Sequence, residues 1–193
     1  KIIEEPCLPA CLMLYDKNIQ SVNSSGNKNT IGNQAYIGIN YDSLDENNKK
    51  VLDKLIQDGM IEPLHLSDNP EQRGGRDVCI KVPVSEDDTV GKISDRFMEI
   101  VSNFQQQDVL YGMLDADRVL ENTVSLYEDR LHPDENGRVA FKEVLEIITT
   151  AYRYVYDKEK HIFWETQDLF NKHKKYQEEQ KEKESKTQDE INK

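Results

Sequence analysis

The side chains best suited to nucleophilic catalysis in this 193-residue chain are three cysteines, with four histidines as candidate bases. A cysteine hydrolase needs a thiolate and a neighbouring base, usually a histidine that a third polar group orients. Cys7 and Cys11 stand close together near the first residue, and Cys79 stands alone. No histidine follows an apolar strand with an orienting Asn or Asp after it. We therefore expect a protein that is not an enzyme, with a hydrolase using Cys7 or Cys11 as the alternative.

A polar stretch at residues 132–143 combines oxygen-bearing side chains with a central glycine, between two apolar stripes of helical spacing. It resembles the EF-hand, the twelve-residue calcium loop that joins two helices. The resemblance implies a calcium site whose third, fifth, eighth and twelfth positions are Asp134, Asn136, Val139 and Glu143. It also implies that Gly137 makes the sharp turn and that Val139 pairs with a second loop.

One residue departs from the EF-hand pattern, because His132 stands at the first position, where an Asp is usual. Calcium prefers oxygen ligands, and an imidazole nitrogen is a poor substitute. Calcium is therefore an expected ligand only if the loop tolerates this change. The alternative is a connecting turn in which Asp134 and Asn136 cap the next helix and Gly137 relieves strain.

Because EF-hands usually occur in pairs, a second loop is expected, and residues 83–94 are the best candidate. Aligning Val90 with Val139 places Ser94 where the closing Glu should stand, so this loop would keep the shape without binding calcium. Residues 64–104 also resemble the non-binding EF-hand in the cytosolic tails of voltage-gated cation channels. That similarity rests on three short matches, Pro63-Leu64, Pro83-Val84 and Asp88-x-Val90. A cytosolic regulatory fragment of a cation channel is thus a further alternative.

The charge balance limits the classes of partner. Lys and Arg number 25 and Asp and Glu 37, which gives a net charge of −12. This balance argues against nucleic acid and against an anionic membrane surface, because both require a basic face. No apolar run approaches the roughly 18 residues of a spanning helix, so direct membrane insertion is not expected. Three cysteines that cannot all pair suit a reducing compartment, and we expect a cytoplasmic protein, with the cytoskeleton as one candidate location.

The elements that would position these residues give a mainly α (α+β) fold. We expect a small N-terminal β-hairpin element, an EF-hand-like helical domain and a long charged C-terminal helix, divided as 1–84, 85–170 and 171–193. Strand-like composition occurs at 11–19, 35–40 and 77–84, and residues 21–33 read as a loop. The tail has seven Lys and six Asp or Glu, so it is either a solvated helix or disordered.

Helical spacing of apolar residues predicts the remaining elements. The predicted helices cover 51–56 with Ser43 or Asp45 as cap, 93–104, 120–131 with Asp115 or Asp117 as cap, 141–155, and a last one carrying Ile162, Phe163, Leu169 and Phe170. We expect a non-enzymatic, EF-hand-like interaction or structural subunit of a larger protein assembly. Its partners would be proteins bound through the C-terminal helix.

Overall fold

The computed structural model describes residues 3–26, 34–61 and 77–191, with side chains as far as residue 188. The chain divides into two compact units, Lys1–Leu110 (unit 1) and Tyr111–Lys193 (unit 2). Unit 1 contains α1 Leu8–Asp16, β1 Ser21–Ser25, β2 Gln34–Asn40, α2 Glu46–Gln57, β3 Asp77–Pro83 and α3 Val90–Val101. Unit 2 contains β4 Met113–Asp115, α4 Ala116–Leu126, α5 Phe141–Ile147, β5 Val155–Asp157, β6 Ile162–Trp164 and α6 Gln167–Ile191. The predicted α+β class is confirmed.

The sheet of unit 1 has β2 at its centre, antiparallel to β1 on one side and to β3 on the other. The strands predicted at 35–40 and 77–84 are confirmed as β2 and β3. Alternate residues of both strands turn inward, as the period of two requires, and the buried ones are Ala35, Ile37, Ile39, Val78, Ile80 and Val82. The predicted hairpin also exists, but its first strand is β1, a polar edge strand within the segment predicted as a loop.

The strand predicted at 11–19 is wrong, because these residues form most of helix α1. Pro9 stands in the first turn, where its missing N–H costs no hydrogen bond. Ala10, Cys11 and Leu14 form one buried face at helical spacing. The helix ends before Asn18, whose φ of +62° is left-handed.

Helix α3 belongs to unit 1, which differs from the predicted domain boundary after residue 84. Its buried face, comprising Ile93, Phe97, Ile100 and Val101, shares the core of unit 1 with the sheet and α1. The division between the units instead follows Leu110. Asp45 caps α2, which is one of the two predicted caps.

A buried polar network fixes the segment after α3 to the rest of unit 1. The Gln107 side chain accepts hydrogen bonds from the Asp45 N–H (2.9 Å) and from the Asn48 amide (2.8 Å). Its own amide donates to the carbonyl oxygens of Asn18 and Ser43. Both the donor and the acceptor of this fully buried side chain are therefore satisfied.

The sheet of unit 2 has the order β4-β6-β5, with both pairs antiparallel. Phe163 faces the core that α4 and α5 complete, whereas Trp164, the next residue along β6, packs against Phe170 and His173 of α6. The prediction that Ile162 and Phe163 belong to a helix is wrong. Phe163 and Trp164 face opposite sides, as successive residues of a strand do, although an apolar run of this length also suits a helix.

Helix α5 continues directly into a π-helical turn, Ile148–Tyr152. Arg153 ends this turn in the left-handed conformation, with φ of +58°. The helix predicted to reach residue 155 therefore stops at 152, and Val155 opens β5.

The predicted long C-terminal helix is confirmed as α6, which begins at Gln167, four residues before the charged tail. Leu169 and His173 are buried, whereas the side chains of residues 181–188 are all exposed. Among the helices that the structure describes, none is both long enough and apolar enough to cross a lipid bilayer.

Candidate functional site: the loop between α4 and α5

The loop at 132–143 is delivered by α4 and leads into α5. Asp115 caps α4 by accepting a hydrogen bond from the Arg118 N–H at 2.9 Å, so it is the cap among the two predicted residues. The helix ends at Leu126, and a short 3-10 turn, Glu128–Arg130, follows it. Leu131 is then buried at the start of the loop.

Asp134 organises the turn inside the loop rather than capping a helix. Its Oδ1 accepts hydrogen bonds from the N–H groups of Asn136 (2.9 Å) and Arg138 (2.8 Å). Gly137 completes the turn with φ of +76°, a conformation that favours glycine. The N-cap of α5 is Ala140, which offers no side-chain bond, so the predicted capping of this helix by Asp134 and Asn136 is not observed.

The first and last positions of the loop contact each other directly. Glu143 Oε1 accepts a hydrogen bond from the backbone N–H of His132 at 3.1 Å, and it also contacts the imidazole Nδ1. The Glu143 side chain is 27 % exposed and that of His132 is 88 % exposed. A protonated imidazole would make this contact charge-assisted and place a positive charge beside the carboxylate.

The four residues assigned to calcium occupy separate environments. One Asp134 oxygen is bonded to backbone N–H groups, a Glu143 oxygen is bonded to His132, and Asn136 is exposed. Val139 lies in no strand and faces an apolar groove. Within the described ranges, no three His, Cys, Asp or Glu side chains form a group arranged to hold a metal ion.

The second predicted loop, 83–94, lies in unit 1 and is also closed by a basic side chain. Arg96 makes two bonds to the Asp88 carboxylate, at 2.6 and 3.0 Å, and a third to the Pro83 carbonyl oxygen. The hydrogen bond from Arg96, followed by that from the Ser85 N–H, holds the pKa of Asp88 well below its usual range. Val90 opens α3 rather than forming a strand.

The cysteine environments do not favour nucleophilic chemistry. Cys7 and Cys11 are buried in the core of unit 1, and Cys79 is half-buried. Burial raises the pKa of Cys7 to about 12, and it also raises the pKa values of Cys11 and Cys79. Three of the histidines belong to unit 2, and His65 lies outside the described residues.

Two cavities flank α4, and the sequence did not reveal either. The first, which we call the loop groove, has a volume of about 570 Å³ and is lined by Leu120, Glu121, Val124, Glu128, Leu131 and Val139, among others. The second, the tyrosine cavity, has a volume of about 510 Å³ and is lined mainly by Met113, Asp115, Arg118, Asn122, Leu126, Tyr152 and Tyr154. The apolar stripe of α4 predicted a helix, but periodicity does not distinguish a covered helix face from an open one.

A chain of hydrogen bonds that the sequence did not reveal joins α4 to the hairpin of β5 and β6. The Tyr156 hydroxyl lies 2.9 Å from Nδ1 of His161, and Nε2 of the same ring lies 2.9 Å from Asp117. His161 has φ of +52°, which lets it turn back toward α4.

Comparison with protein-family models, with curated proteins and with solved structures found no match to this chain.

Proposed function

We propose that the chain is a non-enzymatic interaction module in which an EF-hand-like helical hairpin binds a partner protein through the loop groove. The observation that carries this proposal is an open apolar cavity beside α4, in a unit whose described core is small. Many proteins bind an amphipathic helix of a partner in an apolar groove. The loop groove has a volume of about 570 Å³, and most of its lining residues are apolar.

The charge around the groove favours a basic partner. Glu121 and Glu128 belong to its lining. Residues 111–170 carry seven Lys or Arg and thirteen Asp or Glu, a net charge of −6. We therefore assign the groove to a basic amphipathic helix, whose apolar side would contact Val124 and Val139.

In this proposal the loop is closed by protein groups. The contact between His132 and Glu143 performs the closure that a cation performs in a calcium-binding loop, and calcium sensing is the alternative function. Replacing His132 with Asp would supply the usual first ligand and remove the imidazole contact to Glu143, so H132D should bind calcium more tightly than the wild type. Calorimetric titration of EDTA-stripped protein with magnesium present measures this difference. Micromolar calcium binding by the wild type would favour the sensor instead.

Helix α6 and the cysteines, which lie outside the loop groove, also bear on the function of the chain. The exposed charged face of α6 is a second surface for a larger assembly, and unpaired thiols suit a cytoplasmic location, including the cytoskeleton. Raised thiol pKa values weigh against the hydrolase alternative. The channel alternative rests partly on residues 62–76, which lie outside the described residues.

The test uses an 18-residue peptide of Leu and Lys at helical spacing, labelled for fluorescence anisotropy. We expect a dissociation constant in the micromolar range that rises with salt. Val139→Lys should weaken binding at least tenfold, because it places a charge in the apolar groove. The matched control is Leu126→Lys, which makes the same charge change in the tyrosine cavity and should leave binding within twofold. Equal losses in both variants would overturn the groove assignment.

A further inference from the structure

The tyrosine cavity lies on the other side of α4 from the loop groove and has a different chemistry. Tyr152 and Tyr154 form one wall as a stacked pair, with ring centroids 5.4 Å apart and an angle of 22° between the rings. The Tyr152 ring also packs edge-to-face against Tyr127 at the end of α4, with ring centroids 6.0 Å apart. Leu126, which is 70 % exposed, and Met113 give the cavity an apolar lining without closing it.

The tyrosine wall is placed by unusual backbone. Tyr152 ends the π-helical turn, and the next residue, Arg153, is left-handed. Such turns occur often at functional sites, and a left-handed non-glycine residue stores strain that surrounding structure must offset. This left-handed residue lies between Tyr152 and Tyr154, whose rings stack.

The polar residues of the cavity leave one cation available. Asp115 is engaged as the cap of α4, and Asp117, which follows on the same turn, is held by His161. The Arg118 guanidinium and the Asn122 amide have no side-chain hydrogen bond or ion pair among the described residues. They stand four residues apart, so they share one side of the helix.

The available groups match a carboxylate attached to an apolar side chain. A guanidinium forms paired hydrogen bonds to a carboxylate, and an amide N–H adds another. The stacked tyrosines and Leu126 would cover the apolar part. The lining extends along α4 from Asp115 to Leu126, roughly 16 Å, which exceeds a single amino acid and fits several extended residues.

We propose that the tyrosine cavity binds the C-terminal end of a peptide, with the terminal carboxylate on Arg118 and Asn122 and an apolar last side chain against Tyr152 and Tyr154. This inference is independent of the loop groove, because no lining residue is shared by the two cavities.

The test is a titration of the isotope-labelled full chain with the peptide acetyl-Gly-Ser-Gly-Ser-Phe, followed by NMR chemical shifts. The free-acid peptide should shift amide signals of residues 113–126 and 152–154, with a submillimolar dissociation constant. The same peptide with a C-terminal amide should bind at least tenfold more weakly. Arg118→Gln should weaken binding of the free acid at least tenfold, and Arg118→Lys should weaken it by less.

The matched control is Arg138→Gln, which removes the same charge from the exposed loop of unit 2 and should change binding less than twofold. Val139→Lys should also leave it unchanged, which separates this site from the proposed function. The inference is overturned if acid and amide peptides bind equally, if R138Q weakens binding as much as R118Q, or if no signal moves at 5 mM peptide. Trp164 fluorescence confirms that each variant remains folded.

Discussion

Within the described residues, unit 1 buries twenty apolar side chains in one core, whereas the core around Phe163 in unit 2 holds six. The two units also differ in whether their polar side chains find hydrogen-bond partners. Gln107 in unit 1 is buried with its donor and acceptor satisfied, whereas Arg118 in unit 2 lines an open cavity and has no side-chain partner in the described part of the chain. Among the described residues, unit 1 therefore has the larger core and the more fully satisfied buried polar groups.

Each unit carries its own reporter of unfolding. The three cysteines all belong to unit 1, and the single tryptophan, Trp164, is fully buried in unit 2. Thiol labelling in urea therefore follows unit 1, and tryptophan fluorescence follows unit 2 in the same sample. Urea titrations that record both signals therefore measure the stability of each unit separately.

The largest effect is expected from removing one aromatic ring in each core. Phe163→Ala should cost about 3–5 kcal/mol, which approaches the whole stability of a unit of this size. Unit 2 should then be unfolded without urea, and Trp164 emission should shift to longer wavelength. Phe97→Ala in unit 1 costs a similar amount, but its larger core should keep the thiols protected. If F97A exposes the thiols and F163A leaves Trp164 buried, the comparison is reversed.

The second effect concerns the buried polar network of unit 1. Gln107→Leu should cost about 2–3 kcal/mol, because the Ser43 carbonyl oxygen and the Asp45 N–H lose the hydrogen bonds that Gln107 makes to them. The urea midpoint for thiol labelling should fall while the tryptophan midpoint stays. Gln106→Leu is the control, since Gln106 is exposed one residue away. Equal shifts in the two variants would show that the network adds no stability.

A third, smaller effect tests two glycines in equivalent backbone states. Gly59 and Gly137 have φ of +71° and +76°, and a Cβ added to either would meet no atom within 4 Å. Substitution by Ala should therefore cost about 1 kcal/mol from backbone strain alone. Gly137→Ala should lower only the tryptophan midpoint, and Gly59→Ala only the thiol midpoint. A shift of both signals in either variant would mean that the units unfold together.

The smallest effect is a pH dependence confined to unit 1. Because Arg96 lowers the pKa of Asp88 in the folded state, the ionised carboxylate stabilises unit 1 above its ordinary pKa of 3.8. This contribution should be lost as the pH falls below about 4 and through the lowered folded value. The thiol midpoints of wild type and Asp88→Asn should differ at pH 6 and converge in acid. A difference that grows in acid would contradict the assignment.

Much of the fold could be predicted where one periodicity was unambiguous. The alternating residues of β2 and β3 and the apolar stripes of α2, α3 and α4 fixed those elements, and Asp45 and Asp115 cap two of the helices as expected. Residues 11–19 failed because a short apolar run suits either a helix or a buried strand. Strand β1 carried no apolar signal, since pairing with β2 rather than composition holds it in place.

The candidate site was predictable in position but not in its contacts. The sequence placed a turn at Gly137 and brought His132 and Glu143 to the two ends of one loop. It gave no sign that Asp134 would bond to its own loop, because that depends on the path of the backbone. The two cavities depend on which side of α4 the rest of the chain leaves uncovered, and this is decided by tertiary packing.

Because residues 174–191 belong to one continuous helix, α6, the distance between their two ends is fixed. Residues 174–191 extend over about 27 Å at 1.5 Å for each residue. An ion pair between Lys175 and Glu179 and the absence of Gly and Pro favour a straight course. Adding seven residues would move any bound partner outward by about 10 Å and keep its facing, because seven residues make nearly two turns. Adding two would move it by only about 3 Å and turn it to the opposite side.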